Sequence, residues 1–486
     1  MIRAALGSLQ PLVPRTTWGR IVAMALVGLL VRLSYVFVAQ WGGPLSGDGI
    51  YYHEAANLMA DGLGFTEPYR YLYGGGHETL FVNDPAAVVV TANSKLPIGH
   101  IEPTAGHPPL WVVFLGVFSF FGLTSVGSHQ VISAMVGASG VLAVGLTAQQ
   151  VERSTGISGV ALPAAALTAV HASFWLNDGL LMSETLIVPL TALLLGSALQ
   201  FNRRPAVNTA VVLGVVAGLA ALTRAELMVA LPLITIGVLR RPNAAIPGVV
   251  PRGGKPPRVY CLKMLAIVGL TFMLIVAPWI VRNLAVFEDP VLLSNGSGIL
   301  LAQANCDATY YGDKQGYWEY QCGLPQPLGA DGMPIDESQR DVIYRQRGLD
   351  YIAAHPGRLV THVVPKRIAR YWGAYAPIQQ LRADVLVENR PMRLSVLGYA
   401  QFLAVSGLGL VGITALLRRR QPLLTLLALP IAGTVVAGLT FGTTRYRVSA
   451  EVALVLLAAI GLSTLKKRRC LSTSTATPRE DDPTIG

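Results

Sequence analysis

The sequence predicts an all-α polytopic membrane protein, and three features predict it. Of its 486 residues 52% are hydrophobic and only 13% charged, with a mean hydropathy of +0.49; such values exclude an ordinary soluble domain. Apolar runs of about 17–22 residues recur, each long enough to cross a ~30 Å hydrocarbon core as a helix. The basic residues behind the net charge of +11 sit in short segments between those runs. That spacing is the positive-inside pattern, and it argues against a nucleic-acid partner.

The first run, near Ile21–Trp41, is too long for a signal segment and reads as a retained span. Further spans follow at roughly 129–150, 157–174, 185–201, 207–223, 226–240, 262–281, 395–417, 422–441 and 449–465. The apolar segment "PPLWVVFLGVFSFFG" at 108–122 is short and opens with two prolines, so it is expected to lie at the interface or re-enter rather than cross. That leaves ten spans with both termini cytoplasmic. The cytoplasmic face is marked by Arg3, Arg15 and Arg20, by Arg203–Arg204, by the stretch from Arg240 to Lys263, by Arg418–Arg420 and by Lys466–Arg469.

Four units follow from this count. Residues 1–281 form an N-terminal transmembrane catalytic module that includes a first outer loop at 42–128. Residues 282–394 form an extracytoplasmic unit, residues 395–465 the C-terminal transmembrane helices, and residues 466–486 a disordered cytoplasmic tail. Cys306 and Cys322 both fall in the second outer loop, where a disulfide would close a loop of about 15 residues and contribute roughly 3 kcal/mol on chain-entropy grounds. The alternative is a pair of unbonded buried thiols. Cys261 and Cys470 fall on the cytoplasmic side, where free thiols are expected.

The carboxylates are distributed unevenly. The cytoplasmic side carries only Glu152 and the tail acids Glu480, Asp481 and Asp482. A site for a cytosolic sugar nucleotide normally needs acids to hold a metal against the phosphates, so the active face is expected outside, at the plasma (inner) membrane. There the polar residues gather at helix ends. Asp48 stands in "SGDGIYYHEAANLMADGLGF", placed either to cap a short helix or to do chemistry at a membrane exit. Asp178 and Glu184 flank "GLLMS", Arg224 and Glu226 lie in "TRAE", Arg282 ends "PWIVR", and Arg445, Arg447 and Glu451 lie in "GTTRYRVSAE". Each has a bland reading as a turn residue. Helix ends that converge on one cavity would instead bring together arginines suited to phosphate and carboxylates suited to a sugar hydroxyl.

His107 faces that cavity or lies at the interface, and Arg32, costly inside a span, faces protein or snorkels. The loop aromatics around Tyr310, Tyr317 and Tyr371 read as loop core or interfacial residues more readily than as sugar platforms. Walker, dinucleotide, zinc-ligand and Ser/His/Asp patterns do not rise above chance, and no residue is assigned to a metal.

These segments together resemble the membrane-embedded GT-C glycosyltransferases, in the bacterial branch related to protein O-mannosyltransferases and lipid A aminoarabinose transferases (glycosyltransferase family 39-like). The resemblance is carried by Asp48, Tyr52, Ala56, Asn57, Leu58, Gly62, Gly64 and Phe65, then "HPPLW", "MSETLIVPL", "GLAALTRAELMVALPL", "APWIVRN" and "RYRVSAEVALVLLAA". It implies an inverting transfer of a sugar from a polyprenyl-phosphate donor to an acceptor hydroxyl on a glycan, lipid or protein. It places the general base on Asp48, the second acid on Asp178 or Glu184, and the donor phosphate on Arg282, Arg445 and Arg447. Tyr52, His107, Arg224 and Glu226 are the expected substrate contacts. Asp48 lies in "GDG", without the adjacent second acid of many relatives, so a divalent metal stays open beside no cofactor at all. A transporter or flippase of lipid-linked sugars is the alternative; it predicts broken helices and ionisable groups near mid-membrane.

Overall fold

The computed structural model describes residues 16–73, 97–240, 257–330, 332–421 and 423–474. Arg3, Arg15, most of the basic loop before Lys263, the first-loop residues from Gly74 to Pro85, Asp331 and the acids of the tail lie outside the described residues. Among those described, the regular structure is helical, and pairing of extended segments is confined to two isolated bridges.

Among the described residues, six helices are long and apolar enough to cross a membrane: Thr17–Gln40, Val126–Thr155, Glu184–Arg203, Arg258–Val286, Met392–Arg418 and Arg445–Lys467. The protein is a multi-pass membrane protein. Five shorter apolar helices accompany them, at Leu110–Phe120, Ala161–Val170, Val207–Ala221, Ala225–Ile236 and Leu424–Leu439. Four of the ten expected spans fall on these shorter helices, so a count of ten does not follow from helix length and apolarity. Leu110–Phe120, only 11 residues long, would extend ~16 Å, about half a hydrocarbon core.

The expected span at 157–174 is broken. One helix ends at Val170, His171 takes an extended conformation, and a second helix runs Ala172–Gly179. The break lets the His171 ring hydrogen-bond the Glu451 carboxylate at 2.5 Å. Glu152 accepts the backbone N–H groups of Val160 and Ala161 at 2.6 and 3.0 Å. It thereby satisfies donors ahead of a helix that has no side-chain cap.

The last helix, Val448–Ser474, is the centre of the bundle, and every residue from Val452 to Ile460 is buried. A helix apolar on all faces belongs in such a position. Its close neighbour is Met392–Arg418, where a Cβ at Gly412 would stand 2.0 Å from the Leu457 carbonyl. Glycine is needed there because backbones in a membrane bundle approach closely over small residues. The helix reaches Ser474, into the stretch read as a tail.

Between Val286 and Met392 lies a helical unit: Ser297–Ala304, Glu337–Ala354, Val364–Tyr371 and Pro377–Glu388. Cys306 and Cys322 are disulfide-bonded within it, and Cys261 is a buried free thiol. The unit is tied to the first loop by charge. Glu102 pairs with Arg70 and, at 3.1 Å, with Arg340, while Glu337 accepts the Ala105 N–H at 2.8 Å.

Candidate active site

The first-loop helix Gly47–Leu58 starts at Ser46, whose hydroxyl accepts the Gly49 N–H. Ser46 is therefore the cap, which corrects the reading of Asp48 as one. Asp48 sits in the first turn, where the positive end of the helix dipole favours an acid. Gly49 explains the surrounding "GDG": a Cβ there would fall 2.4 Å from the Leu180 carbonyl. The missing side chain allows the helix to seat against the Leu180–Ser183 turn. In that turn Leu181 takes a left-handed φ of 57°, a strained conformation for a branched side chain. Trp111, from "HPPLW", donates its indole N–H to the Leu181 carbonyl at 2.8 Å and holds the turn.

The centre of the site is Arg445, on the 3₁₀ turn Arg445–Arg447 that leads into the last helix. Its guanidinium binds three carboxylates at once. Nη2 donates to Asp48 at 2.6 Å, Nε to Glu184 at 2.6 Å and Nη1 to Glu388 at 3.0 Å. Arg224 donates to the same Oε1 of Glu184 at 2.7 Å, pairs with Glu226, and lies 4.2 Å over the Tyr446 ring. The His107 Nε2 stands 3.7 Å from Asp48, with its ring packed 4.7 and 4.9 Å from the rings of Tyr51 and Tyr52. Tyr52 in turn donates to Ser183 at 3.2 Å. Asp48, Tyr52, His107, Glu184, Arg224, Glu226 and Arg445 thus form one cluster.

Exposure separates the three acids on Arg445. The side chain of Asp48 is 34% exposed, against 1% for Glu184 and 11% for Glu388. Asp48 is the one that an incoming group can reach. Burial alone would raise its pKa, but Arg445, His107 and Arg224 hold it well below the usual carboxylate range. Burial pushes Glu388 the other way, with Asp48 and Glu184 adding to the rise and Arg445 and Arg390 opposing it. Burial also lowers the basicity of His107, against the pull of Asp48.

Three expected site residues stand apart from the cluster. Asp178 is buried in an ion pair with Arg32 at 2.8 Å and accepts the Thr185 hydroxyl at 2.7 Å. Of the two acids expected as second carboxylate, Glu184 is the one that meets Asp48 on a shared arginine. Arg447 binds Glu451 at 2.6 Å and lies 3.4 Å over the Phe402 ring, so its charge is engaged inside the bundle. Arg282 donates to the carbonyls of Thr104 and Phe65 at 3.0 and 3.2 Å and lies 5.0 Å from the Trp279 ring centre. It anchors the end of the first loop. Glu388 was missed by the reading of the sequence. Its signal was an acid at the last position of a helix, Pro377–Glu388, where the dipole disfavours negative charge and a cation must compensate.

The carboxylates point to Arg445 and Arg224 rather than toward one another. Among the described residues no group of three or more His, Cys, Asp or Glu side chains is disposed to hold a metal ion. The donor set among the described residues does not fit a metal centre.

No family model and no curated protein matches the sequence. Solved structures do match the fold. The Archaeoglobus fulgidus oligosaccharyltransferase in complex with Zn and sulfate aligns with a TM-score of 0.51 at 16% identity, over 94% of this chain and 50% of that one. The same enzyme tethered to an acceptor peptide containing the NVT sequon aligns with a TM-score of 0.51 at 15% identity, over 96% and 52%. ArnT from Cupriavidus metallidurans bound to undecaprenyl phosphate aligns over 95% and 80% of the two chains at 16% identity, but with a TM-score of 0.35. The chain spans about half the length of the oligosaccharyltransferase it matches. The fold is similar to that of the Archaeoglobus fulgidus oligosaccharyltransferase.

Proposed function

We propose that this protein is an inverting glycosyltransferase that moves a sugar from a polyprenyl-phosphate donor to a hydroxyl of a glycan, lipid or protein acceptor on the extracytoplasmic face. The observation that carries the reading is the Asp48–Arg445 pair in a GT-C fold: a reachable carboxylate held by a buried guanidinium. In this reading the module to residue 281 and the turn before the last helix supply most of the site, and the 282–394 unit contributes Glu388.

The acceptor oxygen attacks the anomeric carbon while Asp48 takes its proton. The bond from that carbon to the phosphate oxygen breaks, and its electron pair leaves with polyprenyl phosphate. Arg445 stabilises the charge that develops there, so no general acid is required. Asp48 is a weak base while it holds Arg445. A donor phosphate that engages Arg445 weakens this pairing and raises the basicity of Asp48, so donor binding prepares the base.

The test is to incubate purified protein with a panel of polyprenyl-phosphate sugars and acceptor hydroxyls and to score release of polyprenyl phosphate. Absence of release across the panel, with the donors bound, would remove the reading. One observation favours the alternative of a lipid-linked sugar transporter or flippase. Arg32–Asp178 is a fully buried ion pair on the first span, and the helix broken at His171 lies beside it. Scrambling of a fluorescent polyprenyl-phosphate sugar across proteoliposome leaflets without sugar transfer would decide for it.

A further inference from the structure

The Arg445 cluster holds more negative charge than positive. Asp48, Glu184, Glu226 and Glu388 meet only Arg224 and Arg445, four acids against two bases. His107 adds no cation, because burial lowers its basicity. Around Glu388 the other charges cancel. Arg390 stands two positions after it and Asp384 one helical turn before it. Both are occupied elsewhere, Arg390 with Asn177 at 2.7 Å and Asp384 with Gln380 and Thr444 at 3.0 and 3.1 Å. The phenol of Tyr317 stands near both acids and carries no charge.

A polyprenyl-phosphate sugar is a phosphodiester and brings one further negative charge. Entering a mostly buried site with two acids in surplus, it is repelled unless one of them gives up its charge. The three acids on Arg445 are not held equally. Glu184 accepts from Arg445 at 2.6 Å and from Arg224 at 2.7 Å on a single oxygen, so two guanidiniums hold it. Asp48 is held at 2.6 Å, with His107 beside it at 3.7 Å. Glu388 has the longest bond of the three, 3.0 Å, and it ends the helix Pro377–Glu388, where the dipole opposes negative charge. Its burial also favours the neutral acid. Glu388 is therefore the carboxylate that a phosphate displaces most readily.

We propose that Glu388 takes up a proton from solvent as the donor phosphate arrives, and yields its place on Arg445 Nη1 to a phosphate oxygen. This deepens the assignment of Arg445 to the donor phosphate and rests on it. One anion replaces another, so the charge around Arg445 is the same before and after the donor binds. Donor affinity is thereby linked to pH. It falls as pH rises through the range in which free Glu388 is ionised, by up to about tenfold per unit.

Calorimetric titration of protein in nanodiscs with a polyprenyl methyl phosphate tests this. That probe is a singly charged diester with no sugar to transfer and no titration near neutrality. The slope of binding enthalpy against buffer ionisation enthalpy counts the protons taken up. Wild type is expected to take up about one proton per diester at its peak between pH 6 and 9, with affinity falling by up to about tenfold per unit there. A protonated-carboxyl band should appear in infrared difference spectra on binding. Glu388→Gln, which keeps an acceptor for Arg445, should lose the uptake, the band and the pH dependence, and His107→Gln should keep all three. A wild type that binds diester without uptake overturns the inference. So does uptake that survives in Glu388→Gln or is lost in His107→Gln, which moves the proton to another group. Should Glu388→Gln fail to fold, Glu388→Asp must shift the carboxyl band, and an unshifted band overturns the inference equally. Failure of wild type to bind the diester removes this inference together with the donor-phosphate assignment. Proton uptake at Glu388 in a protein that transfers no sugar across the donor panel removes the glycosyltransferase reading and leaves the proton site standing.

Discussion

Asp48 and Arg445 make opposite predictions on replacement. Because Ser46 caps the helix, Asp48→Asn leaves the cap in place and retains an acceptor for Arg445. It removes only the ability to take a proton. The variant should melt near wild type, bind donor, and transfer sugar roughly 10²–10⁴-fold more slowly, as for loss of a general base. Wild-type turnover would show that Asp48 does no proton chemistry. Arg445→Ala leaves Glu388 buried without its guanidinium and Glu184 with Arg224 alone, so both stability and donor affinity should fall. Arg445→Lys restores the charge but cannot span three carboxylates, and should recover stability more than turnover. Arg447 separates the two arginines of the motif. Arg447→Ala should lower the melting temperature through Glu451 while leaving donor affinity within about twofold, because its charge is satisfied within the bundle. Equal losses of donor affinity for both arginines would return Arg447 to the site.

The element that ties the first loop to the 282–394 unit carries a pH dependence. Glu67 precedes the short helix Pro68–Tyr73 and accepts the Arg70 N–H, while Glu102 and Glu337 lie nearby. Burial pushes its pKa up to about 8, with Glu337 and Glu102 adding and Arg70 opposing. A raised carboxylate pKa means that the folded protein holds a proton the unfolded chain has released. The contribution is full below the unfolded value near 4.5 and is lost as pH rises through about 8. The melting temperature should therefore decline between pH 5 and 9 in wild type and decline less in Glu67→Gln, as followed by intrinsic fluorescence; parallel curves would rule Glu67 out as the source. Much of this level was legible in the sequence. The short helix at Asp48, the short "HPPLW" helix and the apolar helices were read from periodicity and punctuation. The break at His171 was not, because it depends on Glu451, 280 positions away. Nor was the separation of Arg282 from the cluster, for a similar reason. An arginine at an apolar helix end looks the same whether it faces a phosphate or two backbone carbonyls, and tertiary packing alone decides between them.

At the scale of the molecule, the sequence indicated which residues lie at helix ends but not which ends meet. It could place Asp48, Glu184, Arg224 and Arg445 on one side of the membrane. It could not show that Arg445 would bridge two of those acids together with Glu388, nor that Asp178 would be committed to Arg32. Sidedness remains the broadest prediction. Cysteine placed at exposed Asp350, in the outer unit, should react with an impermeant maleimide on intact cells, and cysteine placed at exposed Arg204 should not. Cys306 and Cys322 should appear as one linked peptide under non-reducing digestion, as expected for an oxidising compartment. Labelling in the reverse pattern would move the chemistry to the other face.

The bond between Asp48 and Arg445 joins residues 397 positions apart, and that separation has a consequence for synthesis. A ribosome delivers Asp48, Glu184, Glu226 and Glu388 to the membrane before the arginine that binds three of them. Until then Arg224 is the only one of the two guanidiniums available to four carboxylates. A nascent chain at that stage carries a mutually repelling pocket beside an unfilled bundle axis, since the same last helix also supplies the core from Val452 to Ile460. Chains stalled after residue 440 should accordingly be cut in the first outer loop by added protease, whereas chains extended past residue 474 should resist. Equal resistance would show that the earlier helices close on their own. With the expected outcome the final helix acts as a latch on the growing chain, so that a premature stop leaves an open, protease-sensitive polypeptide.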